Sequence, residues 1–86
     1  PHPARLGDLN TLASALSSQG RLEEAQQVYE RLLGEARALY GDDSVATAVF
    51  ELNHAVLLER QGELARAEQL YRRVLAATAE RLGLAH

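Results

Sequence analysis

The sequence predicts an all-α fold of two stacked antiparallel hairpins, four helices in all. Three observations carry this. The chain matches itself when shifted by 42 residues, so that Ala13 meets Ala55 and Gly20 meets Gly62. Within each copy, apolar residues recur at steps of three and four, the spacing of one helical face. Strand-like alternation is missing, and the only prolines, Pro1 and Pro3, stand at the start of the chain where they interrupt no helix.

The self-match runs the length of the chain. Leu16 meets Leu58, Leu22 meets Leu64, Ala25 meets Ala67, Tyr29 meets Tyr71, Leu33 meets Leu75 and Gly41 meets Gly83. His2 lies two periods before His86, with Ser44 between them. The expected organisation is one domain of two repeats, the first over about residues 2–43 and the second over about 44–86. The sequence contains no methionine, which marks it as an expected piece of a longer protein or a processed one.

Each element follows in order. Leu6, Leu9, Leu12, Ala13 and Leu16 form one face of a first helix, and Gly20 ends it. The pattern restarts with Leu22, Ala25, Val28, Tyr29, Leu32, Leu33, Ala36 and Leu39, and stops at Gly41. Asp43 or Ser44 can cap a third helix through its side-chain oxygen. That helix carries Val45, Val49, Phe50, Leu52, Ala55, Val56 and Leu58, and Gly62 breaks it. The fourth carries Leu64, Ala67, Leu70, Tyr71, Val74, Leu75 and Leu82, and Gly83 closes it. Connections of a few residues make neighbouring helices antiparallel.

Composition excludes several functions. All nine positive charges are arginine, they mix with twelve acidic residues, and the net charge is -3. A nucleic-acid binder would carry a basic stripe, and none is present. No apolar run reaches the roughly 20 residues needed to cross a bilayer. Cysteine is absent, so there is neither a disulfide nor thiolate chemistry. The chain is expected in the cytoplasm, where disulfides are rare.

The residues Leu9, Leu12, Ala13 and Leu16, then Ala25, Tyr29 and Leu32, resemble the tetratricopeptide repeat. Ala55 and Leu58, then Ala67, Tyr71 and Val74, repeat the pattern. In that family the small residues let paired helices approach and the tyrosines fill the gap between hairpins. The usual period is about 34 residues. The longer period here, with Leu9-Asn10-Thr11-Leu12-Ala13, the stretch from Gln19 to Ala25, and Tyr40-Gly41-Asp42, is similar to the kinesin-light-chain subtype. One departure stands in the third helix, where Glu51 and His54 occupy positions held in repeat one by Leu9 and Leu12.

Candidate chemistry is sparse. Glu51 and His54 form a Glu-x-x-His pair, the spacing used by di-iron bundles, but those need a second such pair and two further glutamates. The expectation is a polar surface pair with no metal and no cofactor. Asp8, Ser14, Ser17 and Ser18 lack a nearby base and oxyanion site, so no catalytic residue is assigned and no enzyme is expected.

The resemblance implies a protein-interaction scaffold. A peptide or partner segment would lie on the concave face formed by the first helix of each hairpin. The family register places Gly7, Asn10, Thr11, Ser14, Ser17 and Ser18 there, then Val49, Leu52, Asn53, Val56, Glu59 and Arg60. Asn53 stands where family asparagines grip peptide backbone; Thr11 holds that register in repeat one and Asn10 precedes it by one. Val49, Leu52 and Val56 would form an apolar pocket, and Arg37 would sit on the outer face with little effect on peptide binding. The expected peptide contacts are Asn10, Thr11, Ser14, Val49, Leu52, Asn53, Val56 and Arg60, and neither nucleic acid nor membrane is an expected partner. Two alternatives are a spacer without its own ligand and a self-association module. The fourth helix spreads its apolar residues over a wide arc, so a homodimer is expected of the isolated chain.

Overall fold

The computed structural model describes residues 3–83, and these form four α-helices with no strand among them. Helix α1 spans Pro3–Ser18, α2 Leu22–Tyr40, α3 Val45–Arg60 and α4 Leu64–Arg81. The correspondence of His2 with His86 lies outside the described residues.

The two hairpin turns close alike. Gly20 and Gly62 have φ of 80° and 82°, a region that costs any residue with a Cβ. With glycine there, the Arg21 amide donates to the Leu16 carbonyl at 2.9 Å and the Gly20 amide to that of Ser17 at 3.0 Å. In the second turn the Glu63 amide donates to Leu58 at 2.9 Å and the Gly62 amide to Glu59 at 3.0 Å. These bonds satisfy carbonyls that a helix end leaves open. Between the hairpins, Ser44 is the cap of α3: its Oγ accepts from the Thr47 amide at 3.1 Å. The Thr47 hydroxyl donates to the Gly41 carbonyl at 2.9 Å, which allows Thr47 to be wholly buried.

Helix α3 packs between α2 and α4, and α1 packs mainly on α2. The close helix approaches are made by Ala13, Ala25, Ala36, Ala55 and Ala67, all buried. The main core joins Leu6, Leu16, Tyr29 and Leu32 to Leu57 of α3, with Leu9, Val28 and Phe50 packed on it. Each fully buried leucine contributes about 1.5–3 kcal/mol. The Cα atoms span 41 × 33 × 15 Å, so the molecule is thin in one direction and every helix keeps an open side.

Three expectations need correction. Glu51 and His54 are buried, at 4% and 9% exposure, and do not form a surface pair. The reason is position: α2 and α4 both pack on α3, and Glu51 and His54 lie in the middle of the single broad arc, from Leu57 through Leu58 to Ala55, that is turned toward them. Leu12 and Leu39, counted with the apolar faces of α1 and α2, are 48% and 51% exposed, because those helices are not enclosed all round. Tyr71 is half-buried, unlike Tyr29, since only α3 packs against α4.

Candidate functional site

Side chains from α1 and α3 meet on one face of the molecule. The Asn53 Nδ2 donates to the Asn10 Oδ1 at 3.0 Å, and one end of the Arg60 guanidinium donates to the Ser17 Oγ at 2.9 Å. Ser14 and Tyr29 share a hydrogen bond between hydroxyls at 3.3 Å. Together Ser14, Ser17, Tyr29, Asn53, Val56 and Arg60 border a hollow of about 120 Å³. Farther along α3, a larger and more apolar groove of about 330 Å³ opens toward α4, lined by Val45, Val49, Leu52, Val74, Ala77 and Leu82.

The other side of α3 is built differently. His54 precedes Val56 by two residues, which places it about 200° around the helix. Its Nε2 donates to the Gln26 Oε1 at 3.0 Å. The Gln26 amide nitrogen donates to the Glu30 carboxylate at 2.9 Å, which leaves its oxygen for the imidazole and puts the hydrogen on Nε2. Burial, together with the charges of Arg66 and Arg37, lowers the His54 pKa from its usual 6.5, and Glu30 opposes this. One turn earlier, the buried Glu51 carboxylate accepts from Arg37 of α2 at 3.0 Å and also from Arg73 of α4. One acid thus ties three helices. Arg37 therefore has a structural partner within the fold.

The family model described as the tetratricopeptide repeat matches residues 7–80. The chain belongs to the tetratricopeptide-repeat family. No curated protein sequence matches it. Tetratricopeptide repeats are in general protein-binding scaffolds and generally non-catalytic. No group of three or more His, Asp or Glu side chains among the described residues is placed to hold a metal ion. No helix among them is long and apolar enough to cross a membrane.

The tetratricopeptide register placed the residues unevenly. Ser14, Asn53, Val56 and Arg60 gather at the small hollow, and Asn10 joins them only through its bond to Asn53. Val49 and Leu52 border the larger groove and Val56 the small hollow, while their i, i+3 and i+7 spacing keeps all three on one face of α3. Thr11 lines neither hollow; its hydroxyl donates to the Gly7 carbonyl at 3.0 Å within α1. Sequence reasoning missed Tyr29 at the hollow and Arg37 and Arg73 on Glu51. The signal for the latter was present: a carboxylate standing where repeat one has Leu9 calls for a cationic partner.

Proposed function

We propose that this chain is a protein-interaction module that holds a peptide or extended partner segment on the concave face formed by α1 and α3. The observation that carries this reading is the pair of side-chain bonds, Asn53 to Asn10 and Arg60 to Ser17, that join the two first helices into one polar strip. Among the described residues, those bonds leave the Asn53 Oδ1 and the Asn10 Nδ2 for a backbone amide and carbonyl. Val49 and Leu52, at the 330 Å³ groove, supply the apolar anchor point. Thr11, Ser14 and Val56 complete the contact surface. The reading includes one domain of two repeats of the kinesin-light-chain kind, a cytoplasmic setting, no catalysis and no cofactor, with neither nucleic acid nor membrane as partner.

The test is affinity for a peptide selected on the intact chain. Asn53→Ala should weaken binding by about 0.5–1.5 kcal/mol, the net worth of a hydrogen bond. A selected peptide indifferent to Asn53→Ala, Leu52→Ala and Val56→Ala together would place binding elsewhere.

A second reading, self-association, is favoured by one observation. Leu64 and Leu75 of α4, and Leu82 just past its end, are 65–67% exposed, and steps of eleven and seven residues bring them to one stripe along that side. Such a stripe suits a two-fold homodimer. Sedimentation at several concentrations decides it: Leu75→Glu should shift a dimer to monomer, and a monomer at high micromolar concentration removes the reading.

A further inference from the structure

We propose that copies of this chain associate head to tail, the open face of α1 on one copy stacking on the open face of α4 on the next. The contact repeats between copies the one that α3 makes with α2 inside the chain. Head-to-tail stacking rests on the self-association reading, replaces its two-fold geometry, and is independent of the Asn53 strip.

Inside the chain, α2 receives α3 along one face. The rings of Tyr29 and His54 lie 5.8 Å apart, Gln26 bonds His54, Arg37 bonds Glu51, and the Gln61 amide nitrogen donates to the Leu22 carbonyl at 3.5 Å. Leu33, His54 and Leu58 border one groove of about 460 Å³ there, between α2 and α4, and Leu33 is 4% exposed. A shift of 42 residues carries this face of α2 onto Leu64, Glu68, Tyr71, Leu75 and Ala79 of α4. It carries the matching face of α3 back onto Leu9, Leu12, Ala15, Leu16 and Gln19 of α1. Both counterpart faces are open. Leu75 is 67% exposed and Leu12 48%, and Ala15 and Gln19 are exposed beside Leu12.

A second copy is the occupant because the two open faces have changed together. Arg37 pairs with Glu51 at the inner junction; their counterparts are Ala79 and Leu9, so both charges are gone. A change on one face alone would leave a buried charge without its partner. His54 becomes Leu12, which needs no hydrogen bond, while Gln26 becomes Glu68, which has its own cation in Arg72 at 3.8 Å. Leu33 becomes Leu75, Leu22 becomes Leu64 and Gln61 becomes Gln19, so the apolar contact and the glutamine bond are kept.

The charges around this seam also match. Glu30 of α2 and Arg66 of α4 border the inner groove, and their counterparts are Arg72 and the next copy's Glu24. The signs exchange and the pair stays complementary. Arg72 and Glu24 also pair within the chain, with Glu68 and Arg21, but those ion pairs are exposed and weak. Arg31, the counterpart of Arg73, is tied to Glu35, as is Arg5, and Asp8 balances the second of these cations.

The start of α1 forms the polar rim of the contact. Arg5 stands where α3 has Thr47, whose hydroxyl donates to the Gly41 carbonyl. Its guanidinium comes to the C-terminal end of the neighbouring α4, where a cation is favoured. Asp8 stands where α3 has Phe50 and confines the apolar contact to the turns after it. One helix face at each end makes a small, concentration-dependent contact. A pair of copies still has one open α1 and one open α4, so association continues past two.

The experiment is complementation between two variants, followed by sedimentation from micromolar to millimolar concentration. The average mass of the wild-type chain should rise past that of two copies. Leu12→Glu spoils the α1 face by placing a carboxylate against Glu68, and Leu75→Glu spoils the α4 face. Both positions are exposed, so circular dichroism should show unchanged helix content; Ala15→Arg is a second variant of the α1 face. Each variant alone should stay monomeric. Mixed in equal amounts, Leu12→Glu and Leu75→Glu chains should form one-to-one pairs, through the intact α4 of the first and the intact α1 of the second. Three results would overturn the proposal. A dimer untouched by Leu12→Glu and Ala15→Arg would establish a two-fold contact and keep the self-association reading. A wild-type monomer at every concentration would remove both. Variants that remain monomeric when mixed would show that the two faces do not meet.

Discussion

Removing both cations from Glu51 should be the most damaging change available outside the apolar core, and replacing the glutamate itself should reverse most of the damage. The Glu51 side chain is 5% exposed, so water cannot replace a lost partner. Breaking a buried ion pair typically costs about 3–5 kcal/mol, because the remaining charge is left uncompensated. Arg37 and Arg73 are half-exposed, and either one alone still serves the carboxylate. Each single change to alanine should therefore cost only about 1 kcal/mol, near the worth of a hydrogen bond. Arg37→Ala with Arg73→Ala should cost about 3 kcal/mol, the low end of that buried-pair range, since the open groove admits some water. For a domain of this size that corresponds to a fall in melting temperature of about 15 °C. Glu51→Leu, which installs the residue repeat one carries at Leu9, should be close to neutral, as apolar replacement of buried ion pairs often is. In that background the two arginine changes should cost less than about 0.5 kcal/mol each, as at other surface sites. Thermal and urea unfolding followed by circular dichroism measure all of these. Additive losses of the two arginines, unchanged by Glu51→Leu, would refute the shared-carboxylate argument.

Ala67→Leu should destabilise by about 1–3 kcal/mol, because Ala67 is 1% exposed where α4 crosses α3 and added volume has no space; an unchanged melting temperature would contradict this packing. Tyr29→Ala should cost about 3–5 kcal/mol in the same assay, since the ring is 2% exposed, and Tyr71→Ala clearly less, since that ring is half-buried. His54 should make stability pH-dependent. Its folded-state pKa is lowered, so the unfolded chain takes up the proton more readily. Stability is then complete above the ordinary value of 6.5 and is lost as the pH falls below it toward the folded-state pKa. Among the groups facing it, Gln26 holds its Nε2, Arg37 and Arg66 resist the added charge, and Glu30 favours it. His54→Gln should flatten this dependence in unfolding curves taken from neutral to mildly acidic pH, and an unchanged slope would show that other groups carry it.

The sequence alone determined the helices, their ends and their pairing. Those features depend on residues close together in the chain: glycines at Gly20, Gly41, Gly62 and Gly83 that accept positive φ, Ser44 with its oxygen three residues before the Thr47 amide, and alanines in register with the leucines of one face. It also named side chains that do gather on one face, among them Asn10, Ser14, Asn53 and Arg60. What only the tertiary structure decided is what lies around α3. Glu51 and His54 read as surface groups because a helical face was judged from one side, and the second flank that buries them is supplied by residues elsewhere in the chain. Arg37 stands 14 residues from Glu51, Arg73 stands 22 from it, and Gln26 stands 28 from His54. Short-range periodicity reports which residues share a helix face; it carries no record of which cation a buried carboxylate will meet when another helix packs against it.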